Sequence, residues 1–224
     1  NRPWDGLRVL VTAGGTREPI DPVRFLGNRS SGRMGLALAR AAARRGAEVT
    51  LIAANVSLPA PAGVRRIDVR TTAELAEAAG AEFDSCHVLL MAAAPADFRA
   101  AEVASGKLSR EEGLQLRLEP TEDILAGLAG RRAPGQTVVG FAAEHGSDAI
   151  PRAREKLTRK GADLIVLNDV SDPAIGFESA DNAVTLIDAG GEREVPIASK
   201  GEIAETILDR VDSLRRPGAK SGLY

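Results

Sequence analysis

Short apolar runs and amphipathic stretches alternate along this chain in a regular order. Arg8 to Val11 reads as a buried strand, and Ser31 to Arg45 as a helix that Gly46 ends in a left-handed conformation. Glu48 to Ala53 and Val64 to Val69 are further strands, followed by an alanine-rich helix from Thr72 to about Ala81. The run His87 to Ala93 (HVLLMAA) is apolar enough for the middle of a parallel sheet, covered on both faces. Beyond it, Asp123 to Gly130 and Ala149 to Lys160 predict helices; Val138 to Ala142 and Leu164 to Leu167 predict strands. This rhythm predicts an α/β fold, Rossmann-like in plan, with a doubly wound and mostly parallel sheet.

The end of the chain departs from that rhythm. Asn182 to Asp188, Ala189-Gly190-Gly191 and Glu194 to Ile197 together predict a β-hairpin extension. A last amphipathic helix is expected from about Gly201 to Leu214, then a polar tail from Arg215 to Tyr224 with Pro217, Gly218 and Gly222, expected to be mobile. One domain spanning residues 1–224 is the natural division for this length. Two stretches resist regular structure: Glu18 to Asn28, with Pro19, Pro22 and Gly27, and Phe98 to Gly113. Loops of this length in a compact domain are commonly lids or binding loops.

Composition narrows the function. Net charge is −2, from 29 basic and 31 acidic residues, which lacks the basic field of a general nucleic-acid binder. No apolar stretch approaches the roughly 18–20 residues of a membrane span. A lone cysteine, Cys86, leaves no internal disulfide framework and fits a reducing cytoplasm. With only His87 and His145 beside it, no zinc-ligand spacing is present.

In an open parallel sheet, ligands gather beyond the carboxyl ends of strands. There the sequence places Gly14 and Gly15, then Ala92, Ala93, Ala94 and Asp97, then Phe141 and Glu144, then Asn168 and Asp169. Small residues beside polar ones let a backbone approach a nucleotide, although Gly14-Gly15 is as readily a tight turn. Gly27-Asn28-Arg29-Ser30-Ser31-Gly32 directly precedes a helix, and successive N–H groups at a helix start suit a phosphate. An ordinary N-cap would explain Ser30 or Ser31 but not Asn28, Arg24 and Arg29. Lys107 follows Ser105-Gly106 in the long loop and is by itself a surface lysine. Lys156 and Lys160 share a helix face that, with Arg152, Arg154 and Arg159, reads by default as basic and solvated.

Read together, five segments resemble one family. They are VTAGGTREPIDPVRFLGNRSSGRMG (Val11–Gly35), AAAPADFR (Ala92–Arg99), VGFAAE (Val139–Glu144), REKLTRKGADLIVLNDV (Arg154–Val170) and DNAVTLI (Asp181–Ile187). In this order they resemble phosphopantothenate–cysteine ligase of the CTP type, the synthetase domain of a bacterial bifunctional coenzyme A biosynthesis protein. The resemblance runs from Leu7 to about Leu214. It implies activation of 4′-phosphopantothenate by CTP to an acyl-cytidylate and pyrophosphate, then coupling to cysteine with release of CMP. It also implies Mg²⁺ carried by the triphosphate, a homodimer, and a fused FMN-dependent decarboxylase domain whose FMN is not expected to bind here.

By the same resemblance, Asn28 holds the acyl-cytidylate and Lys107 acts in its conversion from a flap spanning about residues 98–113. Gly14, Gly15, Arg24, Ser30 and Ala94 fall near the acid substrate. Met91, Ala92, Ala93, Asp97, Glu122, Asp123, Ile124, Leu125, Phe141, Lys156 and Lys160 fall around the CTP. This chain departs from the family pattern at Lys107-Leu108-Ser109-Arg110, where Lys-x-Lys-Lys is usual, at Pro95 in place of valine, and at Thr121-Glu122-Asp123. A short-chain oxidoreductase reading of the TAGGT turn lacks its tyrosine, since Tyr224 is the only one. A nucleotide-sensing module without catalysis is the third reading, separable from the ligase by pyrophosphate release.

Overall fold

The computed structural model describes residues 2–110, 113–144, 146–169 and 181–216. Expectations for His145, Val170, Pro217, Gly218, Gly222 and Tyr224, and for loop residues 111 and 112, lie outside the described residues. Elements follow one another as β1 (Arg8–Gly14), β2 (Arg17–Pro19), β3 (Phe25–Gly27), α1 (Arg33–Arg44), β4 (Glu48–Ala54), β5 (Arg65–Val69) and α2 (Thr72–Phe83). Next come β6 (Val88–Met91), β7 (Phe98–Ala100), β8 (Leu118–Pro120), α3 (Ile124–Gly130), β9 (Thr137–Glu144) and α4 (Ala149–Lys160). The chain ends with β10 (Leu164–Asp169), β11 (Asp181–Asp188), β12 (Gly191–Ser199) and α5 (Lys200–Arg215).

Eight strands form one sheet in the order β12-β11-β10-β9-β6-β1-β4-β5. Pairing is parallel from β10 to β5, while β11 and β12 join antiparallel as the expected hairpin. From β1 the chain winds outward through β4 and β5, then returns to β6 and winds the other way. The strand order therefore reverses between β1 and β6, which opens a crevice at their carboxyl ends.

Strand alternation sorts the core into two layers. Val9, Val11, Val88, Leu90, Val139, Leu164 and Val166 face α1 and α5. Leu10, Leu89 and Val138 face α2 and α3, and Ile165 and Leu167 face α4. Near-continuous apolar strands follow because both faces are covered. At the rim where the parallel strands begin, buried Trp4 donates from Nε1 to Asp212 Oδ1 at 2.7 Å and from its backbone to Arg45 O at 2.8 Å. Arg215 is no part of a loose tail: its guanidinium donates to His87 O, Gly135 O and Thr137 Oγ1 at 2.9–3.1 Å.

The two irregular stretches hold more structure than their sequences predict. Arg17 to Gly27 forms the β2–β3 ribbon, and Phe98–Ala100 pairs with Leu118–Pro120 as β7–β8. Strands of three residues are too short for a period of two to be read. Among the described residues, no helix is long and apolar enough to cross a membrane.

Candidate functional site

The carboxyl ends of β1 and β6 are joined before any ligand is considered. Ala94 N donates to Gly14 O at 2.8 Å and Thr16 N to Ala94 O at 3.3 Å. Buried Thr12 and Thr16 accept from Ala93 N at 3.1 Å and Ala96 N at 2.8 Å. Gly14 has φ +85, and a Cβ there would lie 2.0 Å from Ala54 O on β4. A Cβ on Gly15 would lie 2.7 Å from Asn28 O, so this glycine lets the Gly27–Gly32 loop settle against the strand ends. Neither glycine lines the cleft, and both shape its floor.

A cleft of about 580 Å³ opens over that floor. Of the sequence-expected residues it gathers Asn28, Ser30, Ala92, Ala93, Ala94, Asp97, Phe141 and Lys156. Asn28 Nδ2 donates to Pro95 O at 2.9 Å, which ties the loop before α1 to the turn after β6. The departure to proline at this position keeps the one group the contact needs, a carbonyl. Neither Ser30 nor Ser31 is the N-cap of α1. Gly32 takes that place at φ +75, no side chain caps the helix, and α1 begins two residues later than its pattern predicts. The first amide of the helix, Arg33 N, makes a long contact to Ser31 Oγ at 3.4 Å, and the helix start faces the cleft.

Lys156 overturns the reading of a solvated basic face. Its ammonium donates to Phe141 O at 2.8 Å, and burial, with Lys160 adding to it, lowers its pKa against the opposing pull of Glu144 and Asp97. Lys160 instead pairs with Asp123, whose carboxylate also caps α3 by accepting from Ala126 N at 3.2 Å. Burial would raise the Asp123 pKa, but Lys160 and the cap hydrogen bond outweigh it and the net shift is downward. Met91, Ile124 and Leu125 are buried in the layer under α2 and α3, and Glu122 is exposed beside them. None of these four lines the cleft, nor do Asp123 and Lys160.

Arg24 and Lys107 also stand outside it. Arg24 donates to Asp21 Oδ2 at 2.6 Å and to Leu108 O at 3.3 Å, and Leu108 N donates to the same Asp21 oxygen at 3.2 Å. The β2–β3 ribbon thus latches the loop that carries Lys107, which is itself exposed. Burial would raise the Asp21 pKa, but N–H groups of Val23, Arg24 and Leu108, with the Arg24 charge, hold it at about 2. A folded pKa below the unfolded value near 3.9 means the latch is intact above pH 4 and lost as pH falls toward 2. Asp21→Asn is expected to speed protease cleavage within residues 101–110 at pH 7, whereas wild type shows that rate only below pH 3. Equal cleavage of the two proteins at pH 7 would remove the latch.

Several cleft residues were assigned no role by the sequence reading, among them Lys200, Asn182 and Val184. The hairpin and the start of α5 bring them to a site otherwise built from residues 28–168. One signal for Lys200 was present: a lysine as first residue of a helix opposes the positive end of its dipole.

A family profile described as the DNA/pantothenate metabolism flavoprotein C-terminal domain matches residues 4–214. The chain belongs to that family. A crystal structure of the C-terminal domain of coenzyme A biosynthesis bifunctional protein CoaBC superposes with a TM-score of 0.80 at 35% identity, covering 95% of this chain and 97% of that one. The CoaBC protein of Escherichia coli K12 is 43% identical over 209 residues, 92% of this chain and 51% of that protein. A protein of an unknown prokaryotic organism named cysteine/cysteine sulfinic acid decarboxylase is 44% identical over 216 residues, 95% of this chain and 60% of that protein. The chain therefore spans about half of the length of these curated relatives, and the flavoprotein C-terminal domain is the half it supplies.

Proposed function

We propose that this domain is a phosphopantothenate–cysteine ligase that uses CTP. The observation that carries the reading is the cleft, where the Asn28 amide, the uncapped start of α1 and the half-buried Lys156 converge over the β1–β6 crevice. A carboxylate is a poor electrophile. Attack of its oxygen on the α-phosphorus of CTP expels pyrophosphate and gives a mixed anhydride with a good leaving group. The cysteine amine then attacks the acyl carbon, the acyl–oxygen bond breaks, and CMP leaves as the amine loses its proton.

In this reading Asn28 orients the acyl-cytidylate, and Ala92–Ala94 and Phe141 receive the nucleoside. Asp97 adjoins the nucleotide, with Lys156 opposing triphosphate charge, while Glu122 to Leu125 and Lys160 stand outside the cleft. Lys107 reaches the intermediate once its loop has moved inward. Gly14, Gly15 and Ser30 support the acid substrate, and Arg24 acts by holding the flap. Mg²⁺ fits as an ion carried mainly by the triphosphate: Asp97 and Glu144 are the carboxylates facing the cleft, and no cluster of three or more such ligands exists among the described residues. When bound it neutralises phosphate charge.

Pyrophosphate release with phosphopantothenate, CTP and Mg²⁺, in the absence of cysteine, tests the reading. Release that requires the acid and CTP, and not ATP, GTP or UTP, is expected. A folded protein that binds CTP without release would be a sensing module instead. A homodimer fits the exposed apolar side chains on the two ribbons and the flap: Val23, Phe25, Phe98, Val103, Leu114 and Leu118. Sedimentation at about twice the monomer mass is the expected result. An additional FMN-dependent decarboxylase domain fits the bifunctional names of relatives about twice as long.

A further inference from the structure

Between β6 and β7 the chain runs from Ala93 to Asp97 outside any helix or named strand, yet each residue of this stretch has a backbone group held. Ala93 N donates to Thr12 Oγ1, Ala94 pairs with Gly14 and Thr16, and Pro95 O accepts from Asn28. Ala96 is held at both of its polar groups. Its N–H donates to Thr16 Oγ1 at 2.8 Å, and its carbonyl accepts from Thr121 Oγ1 at 2.6 Å and from Thr72 Oγ1 at 3.4 Å. Asp97 O in turn accepts from Thr121 N at 2.9 Å. The peptide on either side of Asp97 is therefore anchored. Its carboxylate is not: Asp97 is exposed and lines the cleft, and among the described residues no hydrogen bond or ion pair holds its side chain.

The contacts on Ala96 close a ring. Thr16 Oγ1 and Thr72 Oγ1 lie 3.0 Å apart, and each hydroxyl carries one hydrogen. Thr72 donates to Ala96 O, so Thr16 donates to Thr72 and keeps a lone pair for the Ala96 N–H. Donors and acceptors match all the way round, and such chains strengthen one another away from water. Thr16, Thr72 and Ala96 are all buried. Behind the ring stands a buried acid. Glu18, only 4% exposed, accepts from Thr72 N at 2.7 Å at the start of α2, where the helix dipole favours a carboxylate. Valine would fill the space of Thr16 equally well, but only a hydroxyl engages both the Ala96 amide and the Thr72 hydroxyl.

We propose that Thr16 is a positioning residue: the ring it closes with Thr72 on Ala96 fixes the backbone of Asp97, and with it the aim of the carboxylate that meets the nucleotide. The inference rests on the ligase reading for its ligand. A carboxylate on a loose loop is ordered only when the nucleotide arrives, and that ordering is subtracted from the binding energy. Held beforehand, Asp97 engages the nucleotide without that loss. Thr16, Thr72 and Thr121 do not themselves line the cleft, so their effect on a bound nucleotide passes through the segment that ends at Asp97.

The test is calorimetric titration of CTP with Mg²⁺, without acid or cysteine, on wild type, Thr16→Val, Thr16→Ser, Thr121→Val, Asp97→Ala and the double variant of Thr16→Val with Asp97→Ala. Thr16→Val is expected to weaken CTP binding about five- to tenfold, and Thr16→Ser to restore most of it. Thr121 is half-buried, so Thr121→Val, expected to weaken CTP about threefold, reads the anchor even if Thr16→Val folds poorly. On the Asp97→Ala background, Thr16→Val should add less than about twofold. Losses that multiply in the double variant, or CTP binding by Asp97→Ala that matches wild type, overturn the proposal. In turnover, KM for CTP should rise by the same factor while KM for phosphopantothenate and for cysteine stays within about twofold. Equal rises for all three would reduce Thr16 to a structural role and overturn it as well. Amide hydrogen exchange separates this inference from the ligase reading, because it needs no ligand. In Thr16→Val the Ala96 and Thr121 amides should exchange at least about fivefold faster, with the Trp4 amide at the far rim unchanged. That result supports the anchor even if no pyrophosphate is released. Unchanged exchange at both amides overturns it even if the ligase activity is present.

Discussion

Asn28→Asp is expected to lower kcat/KM for pyrophosphate release by about 10²–10³-fold, the usual loss when one pre-aimed donor is removed from a reacting site. The wild-type amide donates to Pro95 O at 2.9 Å, a bond that a carboxylate cannot make. The substitution also adds a negative charge to a cleft that already holds Asp97 and Glu144, against an incoming carboxylate and triphosphate. Asn28 is exposed, so the circular dichroism spectrum and melting temperature should stay near wild type. Lys107→Gln should behave differently in a quenched-flow assay. It should still form acyl-cytidylate, which then accumulates because the cysteine step slows. Matching single-turnover curves for both variants and wild type would remove both residues from the mechanism.

Gly14→Ala is expected to cost the fold about 3 kcal/mol or more, a large part of the roughly 5–15 kcal/mol by which domains are stable. Two effects add: a left-handed φ of +85, and a Cβ 2.0 Å from the backbone oxygen of Ala54. Gly63 separates them. Its φ is +76 but nothing lies within 4 Å of an added Cβ, so Gly63→Ala should cost only about 1–2 kcal/mol. Urea midpoints read both values. Similar losses at the two positions would show that the contact between β1 and β4 does not set the cost.

The sheet was legible because its strands are apolar on both faces and bounded by turn signals. The order of Val9, Leu10 and Val11 even assigns residues to opposite layers. The loop before α1 was legible as part of a site and lines the cleft, although its serines do not cap the helix and Gly32 does. Other features depend on pairings that sequence does not display. Gly14 and Gly15 meet Ala54 and Asn28 only through the register of β1 on β4 and the fold of the following loop. Lys156 looks like one more basic residue until Phe141 O is found 2.8 Å away. Arg24, expected beside a phosphate, is held by Asp21 and Leu108. Lys200 lies well over 150 residues from Arg33 and meets it only because α5 returns to lie along α1.

The contacts of Trp4 and Arg215 have a practical corollary. Both residues sit on the rim where the parallel strands start, whereas the cleft opens where they finish. Strands of about seven residues separate the two rims by about 20 Å. A tether attached near either residue would therefore leave the mouth of the cleft facing solution. Protein immobilised that way on a biosensor chip should report the same on- and off-rates for its small ligands as protein tumbling freely.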